Sequence, residues 1–294
     1  MSTKLYKILL ILGIVAVLLA VPIFGLSYSP PKELEVDFLD VGQGDAILIK
    51  SPFGQNILID GGPDSKVIEE LGKSLPFWDK RIDLMVLTHP HDDHVTGLIE
   101  VIKRYNVKKI LYTGVVHDSP NYLAWLAAIR ERKIPLVIID RPQKIVLGDD
   151  CYMEIIYPRK SFLAQETDNL NNSSIVARLV YGETKFLLTG DAEIEVEKEL
   201  LNLTPLLARG GGEVDLSAQV LKTGHHGSDT SSSEEFLKAV SPQIAVIQVG
   251  KDNDFGHPSL RILKRLERAG AEILRTDKNG TVSLISDGKE IIKK

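Results

Sequence analysis

The chain holds one cysteine in 294 residues, Cys151, and no excess of positive charge: 35 Lys and Arg stand against 40 Asp and Glu, for a formal net charge of −5. A lone cysteine excludes an intramolecular disulfide framework and any thiolate-rich metal site, so a bound metal must be held by His, Asp and Glu. The negative balance excludes a global basic field for gripping nucleic acid. Local basic runs remain, such as Lys103-Arg104, Lys108-Lys109 and Arg130-Glu131-Arg132-Lys133. Low-complexity stretches are absent too, and 44% hydrophobic with 26% charged residues is the composition of an ordinary globular chain.

One long uncharged apolar run occurs, at residues 8–26, preceded by Lys4 and Lys7 and followed by Pro30-Pro31-Lys32-Glu33. About 20 apolar residues span a bilayer core, and the leading positive flank predicts an amino terminus held inside. Residues 1–27 are therefore expected to be a signal anchor, 28–33 a linker and 34–294 a single hydrolase domain at the outer face of the cell membrane. A cleaved signal peptide, leaving a secreted protein, is the rival reading, although no lipobox cysteine is present.

Beyond the linker, strand-like and helix-like segments alternate. Strands are predicted at 34–41, 45–50, 56–60, 84–88, 109–112, 136–139, 153–157, 174–181, 185–188, 218–222, 244–249, 272–274 and 282–286. Helices are predicted at 65–74, 94–105, 122–133, 194–201, 233–240 and 258–269. Many of the strands are apolar on both faces and so must be buried on both, which predicts two sheets covered by outer helices.

The chemistry is concentrated in Thr88-His89-Pro90-His91-Asp92-Asp93-His94, at the end of an apolar strand. His89 and His91 are two apart and share a face in extended geometry, so they can hold one cation together. Asp93 and His94, at the start of the next helix, point elsewhere and can hold a second. Similar strand-end tips follow. Thr189-Gly190-Asp191 places a carboxylate able to bridge two cations, one oxygen to each, or to cap a helix. Lys222-Thr223-Gly224-His225-His226-Gly227-Ser228 and Phe255-Gly256-His257-Pro258 add three histidines. His117 alone falls away from the predicted strand ends and reads as a surface loop residue.

These tips, with Phe38-Leu39-Asp40-Val41-Gly42-Gln43-Gly44-Asp45-Ala46, Ile59-Asp60-Gly61-Gly62 and Asn172-Ser173-Ser174, resemble the metallo-β-lactamase superfamily. Within it they resemble the extracellular nuclease-like domain of ComEC-type competence proteins, without the many-helix channel those proteins carry. The resemblance implies a four-layer αββα sandwich with a dinuclear site of two divalent ions, zinc or manganese. It carries His89 and His91 to one ion and Asp93 with His94 to the other, with Asp191 bridging and one of His225 and His226, preferably His226, completing the ligands of the second ion. Many members place a further ligand histidine where this chain has only Asn169, Asn171, Asn172 and Ser173, so one ion would be less fully coordinated. Asp60 reads as an acceptor fixing a ligand imidazole, and Asp40 and Asp45, which flank a glycine-rich turn, each as either a similar support or a turn former. Lys222, Asn172 and Ser173 are candidate substrate contacts, Lys222 having the alternative of a solvated strand-end lysine.

The expected reaction is metal-assisted hydrolysis of a phosphodiester, with DNA as the expected partner. Asp93 would accept the proton of the attacking water, and His225 or His257 would protonate the leaving oxygen. Two alternatives stand beside it: hydrolysis of a small non-nucleic ester, phosphodiester or lactam at the cell surface, and a metal-bound surface module without turnover.

Overall fold

Alternation of apolar side chains along the strands sets the layering. In the computed structural model, which describes residues 33–206 and 215–294, the first half runs β1 (Leu34–Phe38), β2 (Ile47–Lys50), β3 (Asn56–Ile59), α1 (Lys66–Ser74), β4 (Arg81–Ile82), β5 (Leu84–Val86), α2 (Asp92–Arg104), β6 (Asn106–Val107), β7 (Ile110–Tyr112), α3 (Pro120–Arg132) and β8 (Leu136–Ile138). The second half runs β9 (Gln143–Gly148), β10 (Cys151–Tyr157), β11 (Val176–Tyr181), β12 (Thr184–Leu188), α4 (Ile194–Leu206), β13 (Val220–Lys222), α5 (Glu234–Val240), β14 (Ile244–Ile247), α6 (Leu260–Arg268), β15 (Glu272–Arg275), a single turn α7 (Thr276–Asn279), β16 (Val282–Ser286) and β17 (Ile291–Lys293).

Two large sheets result, one ordered β17-β16-β1-β2-β3-β5-β7-β8 and the other β15-β14-β13-β12-β11-β10-β9, while β4 and β6 pair as a separate two-stranded sheet. Val36, Phe38, Ile47, Ile49, Ile57, Ile59, Leu84 and Val86 of the first meet Ala177, Leu179, Phe186, Leu188, Val220 and Val246 of the second in one core between the sheets. The intervening residues Leu48, Leu58, Met85 and Leu87 face the other way, onto Val95, Leu98 and Val101 of α2 and Trp125 of α3. Leu187, Leu221, Ala245 and Ile247 likewise face Phe236 and Leu237 of α5 and Ile262 of α6. A side-chain period of two on strands apolar on both faces therefore yields four layers, helices outside and sheets inside. Cys151 is buried in the core between the sheets, where burial pushes its thiol up to about 12 and leaves it inert.

Strand β9 was not expected from the sequence: Gln143, Lys144 and Val146 are exposed, as suits an edge strand with one wet face, and they dilute the apolar signal. Helix α2 begins two residues earlier than predicted, with Asp92 and Asp93 in the first turn and Lys103 and Arg104 in the last, each placed favourably against the helix dipole. Among the described residues no helix is long and apolar enough to cross a membrane. The expected anchor at residues 8–26 lies outside the described residues.

Candidate metal centre

Strand ends β1, β3, β5, β12, β13 and β14 open onto one edge of the two sheets, and the loops that follow them carry the polar tips. Asp93, His94, Asp191 and His226 present ligand atoms within 4.8 Å of one another. Asp191 Oδ2 lies 3.2 Å from both His94 Nε2 and His226 Nε2, and Asp93 Oδ2 lies 3.2 Å from His226 Nε2. His89 Nε2 is 4.0 Å from the same Asp191 oxygen and 3.0 Å from His91 Nδ1, and the His89 ring lies 4.2 Å from that of His94, so this pair adjoins the cluster.

What holds the imidazoles decides which nitrogen faces the cluster. The Nδ1 of His94 is 2.9 Å from Asp60 Oδ2, and the Nδ1 of His226 is 2.9 Å from the Gln248 carbonyl oxygen. A carbonyl oxygen only accepts, so His226 Nδ1 donates, and donation by His94 Nδ1 to Asp60 follows the same logic. Both rings therefore turn the lone pair of Nε2 towards Asp191 when neutral. Lone pair then faces carboxylate oxygen at 3.2 Å, and His226 Nε2 is buried without a hydrogen bond. A proton or a metal ion must lie between such groups, and the four buried or part-buried carboxylates Asp45, Asp60, Asp93 and Asp191 supply the negative charge a divalent ion needs. The residues present fit the metal site that the sequence implies.

Titration of the metal-free cluster follows from the same charges. Burial opposes charge on His94, but Asp191, Asp93 and Asp60 outweigh it and hold the ring well above the ordinary imidazole range. His226 is raised in the same way, by Asp191 and Asp45 against burial. His89 goes the opposite way, pushed well below its usual value by burial and then by His94. For Asp191, burial is overcome by His226, His94 and Lys222, which hold it well below the carboxylate range.

Asp60 accepts from the backbone N–H of Thr88 at 2.8 Å and the Thr88 hydroxyl at 2.7 Å as well as meeting His94, so it braces the histidine loop from beneath. Of the adjacent histidines, His226 is the one brought to Asp93 and Asp191. His225 and His226 both adopt left-handed backbone, at φ 47° and 52°, which turns their rings apart, and His225 Nδ1 lies 3.0 Å from Glu193 Oε1. His257 sits further out, its ring 5.8 Å from those of His225 and Phe255.

Several expectations are corrected. Lys222 neither lines the cleft nor stands in solvent: it is 0% exposed, ion-paired with Asp45 and with Asp191 Oδ1 at 3.2 Å, and donates to the Gly190 carbonyl oxygen at 2.7 Å. That pairing occupies Oδ1 of Asp191, so the bridge expected to give one oxygen to each ion has Oδ2 facing the imidazoles instead. Ser173 is fully buried with its hydroxyl on the Leu170 carbonyl oxygen at 2.7 Å, and so cannot meet substrate. Asn172 is spent on the start of α4, accepting from Glu193 N–H at 3.1 Å and donating to Glu195 at 3.3 Å. Asp40 pairs with Lys66 at 2.9 Å and accepts from Gly42 N–H, which makes it a turn former, away from the imidazoles.

Of the two aspartates flanking that turn, Asp45 takes the supporting place, buried between Lys222 and His226 Nδ1, the latter 3.3 Å away. Glu193 was missed: it binds Asn169, Asn171, Thr230 and His225 together. His117 is no isolated loop residue either. It lines the cleft with its ring 6.3 Å from that of His91. Its position just past β7, after Thr113-Gly114, repeats the strand-to-glycine tip of the other histidines, and that was the signal available. All seven histidines thus gather at one edge. The cleft over them has a volume of about 590 Å³ and is walled by Gln43, Pro63, Asp92, Ser119 and Phe255 besides the histidines and aspartates.

A sequence model of the metallo-β-lactamase superfamily matches residues 39–251. The chain is 32% identical to ComE operon protein 3 of Bacillus subtilis, over 85% of this chain and 33% of that protein, and 30% identical to competence protein ComA of Neisseria gonorrhoeae, over 86% and 32%. It spans about a third of the length of these relatives. Among solved structures, CmlA, a diiron β-hydroxylase from Streptomyces venezuelae, aligns with a TM-score of 0.53 at 15% identity over 83% of this chain and 53% of that one. Igni18, a metallo hydrolase from Ignicoccus hospitalis, aligns with a TM-score of 0.50 at 17% identity over 85% and 98%. At such identity these two likenesses concern the fold alone. Sequence motifs, four layers and a histidine–aspartate cluster at one sheet edge together place the chain in the metallo-β-lactamase superfamily, to which it belongs.

Proposed function

We propose that the chain is a dinuclear metal-dependent phosphodiesterase acting on DNA at the outer face of the cell membrane. The observation that carries the hydrolase reading is the cluster of Asp93, His94, Asp191 and His226 with His89 and His91 adjoining it, beneath an open cleft. Similarity to two proteins named for competence supports DNA as the substrate. Divalent ions, zinc or manganese, bound there would acidify a water and offset charge on a phosphodiester. The chain's own residues supply the rest. Asp93 reaches the cleft and accepts the proton of the attacking water. His225, steadied by Glu193 and Thr230, donates to the leaving oxygen, with His257 beside it. Lys222 and Asp45 stay beneath and fix Asp191 and His226.

A second reading, hydrolysis of a small ester or phosphodiester, is favoured by one feature: among the described residues, no Lys or Arg lines the cleft. The purified chain loaded with zinc or manganese decides between them. Metal-dependent cleavage of single-stranded DNA is the expected result. Cleavage of a small phosphodiester with DNA untouched would leave the hydrolase and sink the nuclease. Bound metal with no turnover on either would leave a surface module. His91→Ala and Asp191→Ala are expected to lose metal and activity together, and full metal content in both would refute the dinuclear assignment.

A further inference from the structure

Opposite the cleft lies a surface that the chemistry above does not use. Strands β1, β3, β5 and β7 share one direction, since β1 and β3 are each antiparallel to β2 while β5 and β7 run parallel to β3. Their last residues lead to the cleft, so their first residues gather at the far pole. Helix α2 spans the same distance: it begins with Asp92, Asp93 and His94 and ends with Lys103 and Arg104, roughly 20 Å away for thirteen residues.

That pole is basic. Residues 73–83, 100–109 and 130–133 carry ten Lys and Arg against four Asp and Glu, in a chain of net charge −5. The acidic groups are mostly taken locally, Asp79 by Arg81, Asp83 by Lys108, and Glu100 by Lys103 and Arg104. A groove of about 390 Å³ there is lined by Lys80, Lys103, Arg104 and Arg132. Beside it Phe77 and Trp78 stand 81% and 72% exposed, their rings edge to face at 4.8 Å. Adjacent bulky aromatics held out in water next to cationic side chains have the make-up of groups that settle at a bilayer's headgroup level.

The chain enters the fold at this same place. Lys50 Nζ donates to the Ser74 carbonyl oxygen at 3.1 Å and pairs with Glu35 at 3.0 Å, tying the start of β1 to the segment that leads into Phe77. Only seven residues, 27–33, separate Leu34 from the apolar run at 8–26, a reach of at most about 25 Å.

We infer that this pole is a docking surface for an anionic lipid bilayer, with Phe77 and Trp78 at the headgroup level, the Lys and Arg groups on lipid phosphates, and the cleft turned away from the membrane. Lipid is favoured over a DNA track because the groove lies at the opposite pole from the cleft and adjoins both the aromatic pair and the tethered end of the chain. The inference rests on residues 8–26 acting as an anchor and is independent of the hydrolase reading.

The full chain reconstituted into phosphatidylcholine vesicles with about 30% phosphatidylglycerol, doped with brominated lipid, tests it. Trp78 is exposed and Trp125 fully buried, so quenching of tryptophan emission reports on Trp78, with Trp78→Phe as the control that removes the signal. Quenching is expected in anionic vesicles and is expected to fall about twofold or more in pure phosphatidylcholine and in the combined K80E, K103E, R104E and R132E variant, with metal content and circular dichroism unchanged. Vesicle flotation without quenching, or quenching indifferent to lipid charge, would keep the anchor and overturn the docking surface. Failure to float would overturn both. Loss of DNA binding in the charge-reversed variant with quenching intact would also overturn it, assigning the groove to nucleic acid.

Discussion

Replacing Lys222 with methionine keeps the length and most of the volume of the side chain and deletes the ammonium between Asp45 and Asp191. In the native protein that ammonium, fully buried, pairs with Asp45, lies 3.2 Å from Asp191 Oδ1 and donates to Gly190 at 2.7 Å. Removing one partner from a buried ion pair costs about 3–5 kcal/mol because the charge left behind has no compensation. Against a total stability of roughly 5–15 kcal/mol, the metal-free variant should lie close to the edge of folding. The pH dependence sharpens the test. Burial opposes ionisation of Asp45, and Lys222 ahead of His226 reverses that, lowering its pKa. A lowered carboxylate pKa contributes stability above the unfolded value of about 3.9 and loses it as pH falls through the folded value. The variant lacks that contribution, so the gap between it and the parent should be full near neutrality and close only as pH falls below about 4, through the folded value. Urea unfolding by circular dichroism with chelator present, at neutral and acidic pH, measures both. A neutral-pH loss under about 1 kcal/mol, or a gap that does not narrow in acid, would refute the picture of Lys222 as the counter-ion beneath the metal centre.

Further outcomes follow from the same geometry. A Cβ added at Gly97 would sit 1.8 Å from the Gly61 carbonyl oxygen and 2.6 Å from that of Asp64, so Gly97→Ala must push α2, and with it Asp93 and His94, off the turn after β3. We expect a loss of more than about 3 kcal/mol and lowered metal content, and an unchanged unfolding midpoint would contradict the packing. His94 and His226 have raised pKa values without metal, a contribution fully present below the unfolded value near 6.5 and lost as pH rises through the folded values. Chelated protein should therefore melt lower as pH rises above neutrality, whereas metal binding should tighten and release protons, which calorimetry in buffers of different ionisation enthalpy would show; proton-neutral binding would argue against these ligands. His225→Ala should reduce kcat by about 10²–10⁴-fold with metal content retained, and loss of metal in that variant would make His225 a ligand.

The histidine cluster was legible because its chemistry is local: His89, His91, Asp93 and His94 lie within six positions, and a strand ending there must deliver them to one edge. Asp191 and His226 were readable by repetition of the same strand-to-glycine tip. Asp60 was readable only through resemblance. What could not be read were partnerships between sheets. Lys222 ends β13 in one sheet and Asp45 precedes β2 in the other, and nothing local distinguishes a strand-end lysine in water from one sealed under a metal site. Glu193, at the start of α4, looked like any first-turn acid until the fold set it against Asn171 and His225. The sequence alone determined most of the elements, their two apolar faces and hence the four layers, because side-chain periodicity is a property of neighbours along the chain; the edge strand β9 and the short β4, β6 and β17 lacked that signal. Tertiary structure alone decided which carboxylate braces which imidazole, which oxygen of Asp191 remains for metal, and that Phe77, Trp78 and the basic groove share a pole with the chain's entry, because those depend on how strands far apart in sequence are ordered and directed in the sheets.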